Sequence, residues 1–236
     1  MPGKVGLVFV SHSEKLADGL VELAGQMAVA TALESAGGTD DGRIGTSFEK
    51  VGAAIARADS GAGVVVVCDL GSAILTSETA LEFLGDEERA RTRIASAPFV
   101  EGGVAAAVAA ESGDPLDVVL RAAEDAAASL GPDSGAAPPE SAVAAPAAPA
   151  EGGYRRTVTL INETGLHARP AAELVKLAGT FPAAVTVNGT NAKSLLGIMS
   201  MGLVKGAVVE VASVDAEGRD AVDALADLIE TGFGEV

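Results

Sequence analysis

The stretch from Gly131 to Gly153 most restricts what this chain can fold into. It holds five of the chain's ten prolines and eight alanines, and Val143 is its one β-branched or aromatic residue. Such side chains bury too little area to offset the entropy of ordering the backbone, so the stretch is predicted to be a flexible linker. It parts the 236 residues into a front domain (1–131), a linker (132–152) and a back domain (153–236). Both flanks are long enough to enclose a core.

The front domain alternates apolar strands with helical stretches. Val5–Val10 is a continuous apolar run, as expected of a strand buried on both faces, and Leu16, Leu20, Leu23 and Met27 follow at helical spacing. A Gly-rich loop leads to a helix over Phe48–Ala58, and Gly63–Cys68 is the second buried strand. A helix through Ala73, Leu81 and Leu84 follows, then a strand near Arg93–Ala97 and a closing helix over Leu116–Leu130. This alternation predicts a parallel sheet covered on both faces. In the back domain the pattern gives strands at Tyr154–Ile161, Ala184–Asn188 and Val208–Ser213. Helices are expected over His167–Ala178 and about Arg219–Ile229, which together suggest an open-faced α/β sandwich.

Charge narrows the function. The front domain carries 9 basic and 20 acidic residues, the linker 3 acidic, and the back domain 7 basic and 10 acidic, for a net −17. That balance argues against a nucleic-acid tracker or a polybasic membrane binder. One cysteine, Cys68, and two histidines exclude an intrachain disulfide and Cys- or His-rich metal sites. Cys68 lies in an apolar strand and reads as core. The first apolar run is too short for a signal-peptide core, and nothing approaches a membrane span, so a cytoplasmic chain without membrane insertion is expected. Gly61-Ala62-Gly63 precedes its strand and lacks a third glycine, and there is no GxxxxGK[ST] for ATP. No cofactor is expected.

The two histidines fall one to each domain, each at a predicted helix entrance. His12 follows the first buried strand, and Ser11-x-x-Glu14 matches a capping box. His167 lies in Gly165-Leu166-His167-Ala168-Arg169-Pro170, where Thr164 or His167 could cap and Pro170 suits a first turn. A helix N-terminus favours an anion, and a neutral imidazole there can accept a phosphoryl group. Arg169 could hold the transferring oxygens. Asp69, at the end of the Val64–Cys68 run, could accept the Nδ1–H of His12 and leave Nε2 to attack. Gly71, Ser72 and Gly45-Thr46-Ser47 offer phosphate donors. The alternative for Asp69–Ser72 is an ordinary helix cap, and each histidine alone could be a surface or capping residue. Phosphoryl chemistry without a nucleotide site points to a relay.

Residues 154–236 resemble HPr, the histidine phosphocarrier family of the bacterial phosphoenolpyruvate phosphotransferase system. The resemblance rests on the Gly165–Pro170 motif and on Asn191-Ala192-Lys193-Ser194-Leu195-Leu196-Gly197-Ile198-Met199-Ser200-Met201-Gly202. It implies phosphorylation of His167 on Nδ1, with Arg169 steadying the phosphate. It also makes Ser194 either a regulatory phosphorylation site or a plain N-cap. Leu195, Leu196, Ile198 and Met199 are core, a docking patch, or some of each.

The front domain is similar to the mannose-type EIIA fold, and more closely to the phosphotransfer subunits of dihydroxyacetone kinases. The carrying stretches are Leu7–Ser13, Ile44-Gly45-Thr46, Asp69–Ala73 and Thr76–Ala80. This resemblance implies a homodimer through the front domain and a phosphotransferase relay. His12 would receive phosphate on Nε2 and pass it to ADP on a DhaL-type subunit working with a DhaK-type subunit. Enzyme I would load His167, and free HPr is a further donor to consider. The alternatives are an EIIA–HPr fusion serving a mannose-type sugar permease, or a regulator read by its phosphorylation state.

Overall fold

The computed structural model describes residues 3–127, 153–215 and 217–234. The chain splits into two compact units, Met1–Leu130 and Gly131–Val236. The expected linker, 132–152, lies outside the described residues.

The front unit runs β1 (Gly6–Ser11), α1 (Glu14–Gly25), β2 (Leu33–Gly37), α2 (Phe48–Ala58) and β3 (Val64–Cys68). It continues with α3 (Gly71–Glu82), α4 (Asp86–Ala90), β4 (Thr92–Ala95), α5 (Phe99–Ser112) and α6 (Leu116–Asp125). The strands form one parallel sheet in the order β2-β1-β3-β4. Because β1 lies between β2 and β3, the order reverses there. That reversal marks the carboxyl ends of β1 and β3 as the place where open α/β sheets gather ligands.

Side chains alternate across β1. Val8 and Val10 pack with Val51 and Ile55 of α2 on one face. Phe9 meets Phe99 of α5 edge-on at 6.4 Å on the other. Every residue of β1 and of β3 is buried, as the unbroken apolar runs predict.

Several front elements differ from the sequence expectation. β2 lies within what reads as a Gly-rich loop. Its sequence, Leu-Glu-Ser-Ala-Gly, has no β-branched residue, and it survives as an edge strand because β1 supplies the ladder. The helix α5 has no readable apolar stripe because most of its central turns, from Gly102 to Ala110, are buried, with Gly102 and Gly103 at its closest approaches. A Cβ on Gly103 would meet Leu20 at 2.9 Å and Phe9 at 3.0 Å. In α1 the packed face is Ala17, Leu20 and Ala24, while Leu16 and Leu23 are exposed.

Asp59 joins α2 to the start of β4. Its carboxylate accepts from Arg91 Nε at 2.8 Å and from the Gly61 N–H at 2.8 Å. The Arg91 guanidinium holds the Asp59 carboxyl below its ordinary value. A depressed carboxyl stabilises the fold above its unfolded pKa and stops doing so as pH falls through its folded one. The gap in melting temperature between wild type and Asp59→Asn is therefore expected to be widest near neutral pH and to close below about pH 4. A gap that persists unchanged into strong acid contradicts this account.

The back unit runs β5 (Tyr154–Thr159), α7 (Ala168–Gly179), β6 (Thr186–Val187), β7 (Thr190–Asn191), α8 (Leu195–Ser200), β8 (Val208–Ser213) and α9 (Arg219–Glu230). Its antiparallel sheet has the order β5-β8-β6-β7. Val158, Val209 and Val211 of the sheet are buried, as are Leu174 of α7 and Val222, Leu225 and Ile229 of α9. The predicted strand Ala184–Asn188 is shorter than expected. Asn188 and Gly189 both take positive φ (48° and 83°) and turn the chain into the β6–β7 hairpin, the conformation that an Asn-Gly pair favours.

Candidate functional site

In the front unit, β1 and β3 pair in parallel with Val10 opposite Cys68, so His12 and Asp69 leave the sheet side by side. His12 Nδ1 lies 2.9 Å from Asp69 Oδ1. The carboxylate also accepts from the Leu70 N–H at 2.7 Å on Oδ1. Its Oδ2 accepts from the His12 N–H and from the Ser11 hydroxyl, each at 2.9 Å. Burial pushes the Asp69 carboxyl up, but the hydrogen bonds from His12, Ser11 and Leu70 outweigh it and hold the pKa below its ordinary value. An ionised carboxylate only accepts. With the ring neutral, the shared proton therefore sits on Nδ1, and Nε2 carries the lone pair. Ser72 Oγ, 2.7 Å from Nε2, donates to it.

The helix end at Nε2 belongs to α3, and the capping box expected at Ser11 does not form. Helix α1 starts at Glu14 with Ser13 as its N-cap, so His12 stands one residue before the cap. Ser11 is instead the buried end of β1, and its side chain is taken up by Asp69. Helix α3 begins at Gly71 on Leu70, an N-cap whose side chain makes no capping bond. The first N–H groups of α3, those of Gly71 and Ser72, have no partner within their own helix and are suited to a phosphoryl oxygen.

Thr46 lies in the neighbouring loop, which the Gly45 N–H ties to the His12 carbonyl at 3.0 Å. Thr76 Oγ1 donates to the Ser72 carbonyl at 3.0 Å, so Thr46 Oγ1, 2.7 Å away, donates to Thr76. Thr46 is thus joined to the first turn of α3 through Thr76, a residue quoted in the sequence motif and given no role there. Cys68 is core as expected. Burial pushes its thiol up to about 11, and Sγ lies 3.4 Å from Ser77 Oγ.

In the back unit His167 is the N-cap of α7 and is exposed, with Ala171 N donating to its carbonyl at 3.0 Å. Pro170 falls in the first turn, where a missing N–H costs nothing. Arg169, two residues on, is exposed, and its Nε lies 3.5 Å from Glu173 Oε1. The loop before His167 is anchored from within. Asn162 is fully buried, its Nδ2 donates to the Gly165 carbonyl, and its carbonyl accepts from the Gly165 N–H at 3.2 Å. The Leu166 N–H donates to the Leu203 carbonyl at 2.8 Å.

Gly165 has φ +72°, and a Cβ there would lie 2.3 Å from the Leu203 carbonyl oxygen. Gly165→Ala is expected to destabilise the back unit by about 3 kcal/mol, from left-handed strain plus an unrelieved backbone clash. Unfolding of the full chain, followed at a back-unit signal such as Tyr154, measures it. A wild-type transition would refute the close approach.

Ser194 is the N-cap of α8, and its hydroxyl accepts from Gly197 N at 3.2 Å. Leu195 and Ile198 are buried, whereas Leu196 and Met199 are half-buried. The apolar run therefore divides between core and surface. Sequence reasoning missed the supporting parts played by Asn162 and Thr76. A buried Asn five residues before a histidine carries no signal without the loop it closes.

The family description "PTS system fructose IIA component" matches residues 6–120, and "PTS HPr component phosphorylation site" matches residues 154–231. The phosphoryl donor subunit DhaM of the PEP-dependent dihydroxyacetone kinase of Escherichia coli (strain K12) is 35% identical over 241 residues, covering 98% of this chain and 51% of that one. The chain thus spans about half the length of that relative. The DhaM subunit of dihydroxyacetone kinase 2 from Listeria innocua is 44% identical over 105 residues, 44% of this chain and 84% of that one. Phosphocarrier protein HPr of Vibrio cholerae is 42% identical over 81 residues, 33% of this chain and 95% of that one. Among solved structures, HPr from Thermoanaerobacter tengcongensis is 43% identical with a TM-score of 0.33, covering 35% of this chain and 98% of that one. No helix among the described residues is long and apolar enough to cross a membrane. With an EIIA-type unit ahead of an HPr-type unit, the chain belongs to the DhaM family of phosphoryl donor subunits.

Proposed function

We propose that this chain is a two-site phosphohistidine carrier. It takes phosphate from enzyme I at His167, passes it to His12, and delivers it to ADP held on a DhaL-type subunit of a dihydroxyacetone kinase. One observation carries the reading. The His12 ring is fixed at Nδ1 by Asp69, and its Nε2 lone pair is presented at the first turn of α3.

In the transfer to His12, the Nε2 lone pair attacks phosphorus as the N–P bond to the donor imidazole breaks. The donor ring keeps the bonding electrons. Ser72 must first release Nε2, and its hydroxyl and the N–H groups of Gly71 and Ser72 are then placed for the phosphoryl oxygens. Asp69 offsets the positive charge that grows on the His12 ring as the bond forms. Since the transition state is loose, positioning and charge supply most of the catalysis. His167, at the positive end of α7, is suited to hold the same group, with Arg169 beside it.

Segment 132–152 is proposed as the tether. The test is incubation of the full chain with enzyme I and radiolabelled phosphoenolpyruvate. Acid-labile label is expected on peptides containing His12 and His167. Discharge of that label by ADP with DhaK- and DhaL-type subunits and dihydroxyacetone completes the reading, whereas label at other residues rejects it.

A further inference from the structure

Ser11 ends β1, a strand whose other residues are Gly, Leu, Val, Phe and Val, and it is 0% exposed. A hydroxyl in such surroundings is costly unless bonded. This one is bonded in two directions. It donates to Asp69 Oδ2 at 2.9 Å and accepts from the Ser13 N–H at 3.0 Å. One oxygen thus joins the carboxylate after β3 to the backbone just beyond His12. The bond to Ser13 also closes a side-chain turn with His12 at its corner.

The four acceptor positions of Asp69 are filled by the His12 ring, the His12 N–H, the Leu70 N–H and the Ser11 hydroxyl. Of the four donors, Ser11 alone is a side chain other than the histidine being held.

We propose that Ser11 is a positioning residue for phosphoryl transfer at His12, bracing both the Asp69 carboxylate and the turn that carries the ring. This rests on the reading of His12 as the phosphoacceptor. Without the hydroxyl, Oδ2 keeps only the His12 N–H, the Ser13 N–H loses its acceptor, and the turn relaxes. Ring orientation and tautomer then lose a constraint, while Nε2 and Ser72 are chemically untouched.

The experiment reads ring nitrogen signals of the unphosphorylated full chain by NMR, together with the rate of His12 phosphorylation. Wild type is expected to show His12 as the Nδ1–H tautomer alone, and Ser11→Ala a mixture with a rate about tenfold lower. Ser11→Thr, which keeps the hydroxyl, restores both readouts. If alanine unfolds the front unit, Ser11→Cys, a weak donor of similar volume, is read in its place. In an Asp69→Asn background, Ser11→Ala is expected to add nothing, because the two act as one unit. A wild-type tautomer and rate in Ser11→Ala overturn the proposal, as does a further tenfold fall in the Asp69→Asn background. The tautomer is read without enzyme I. A wild-type chain that never labels at His12 therefore rejects the function while the tautomer result still decides the role of Ser11.

Discussion

Replacing His167 with alanine is expected to leave both units unlabelled when the full chain meets enzyme I and radiolabelled phosphoenolpyruvate. Adding a separate HPr should restore label to His12 alone. The converse substitution, His12→Ala, is expected to leave the back unit labelled as in wild type. This asymmetry follows from the proposed serial order. His167 caps α7 and is itself exposed, on a loop whose geometry is fixed by Asn162 and Leu203, which suits it to an incoming donor. His12 is more enclosed, with its side chain 22% exposed and both ring nitrogens occupied by Asp69 and Ser72. A partner must displace Ser72 to reach Nε2. Label on His12 in the His167→Ala chain without added HPr would show that the order is wrong.

Much of this was legible in the sequence because the physics was local. Short, unbroken β-branched runs such as Val64–Cys68 favour strands buried on both faces, and once two such strands pair in parallel, the residues after them meet. The meeting of His12 with Asp69 follows on that basis. What stayed hidden depends on partners far along the chain. β2 has no strand signal of its own, and α5, buried along most of its central turns, shows no polar face from which a helical period could be read. The Ser11-x-x-Glu14 spacing misled for a related reason. A serine two residues before the true cap has the right chemistry for capping, but Asp69, 58 positions away, takes its hydroxyl first. The division of Leu195–Met199 between core and surface likewise follows from how α8 lies on the unit and not from hydrophobicity alone.

Asp69→Asn is expected to lower phosphorylation of His12 by about 10³-fold while leaving His167 labelled as in wild type. The amide is nearly isosteric with the carboxylate, so the fold should persist and the loss reports electrostatics and tautomer. Asparagine brings an NH₂ donor into a site that now offers four donors to one acceptor group. Its carbonyl can serve one side of the site, and its NH₂ must then face a donor on the other. Turning the amide toward the ring favours the proton on Nε2, which removes the nucleophile. The negative charge that balances the ring during N–P bond formation also disappears. Because the Asp69 carboxyl is held below its ordinary value, it also adds stability to the front unit at neutral pH that fades as pH falls through its folded pKa. Acid unfolding of Asp69→Asn should therefore lack that component. Rapid-quench labelling of both units in one reaction measures the kinetic effect. A loss of less than about fivefold at His12 would mean that the ring is held by its backbone and by Ser72, with Asp69 a bystander.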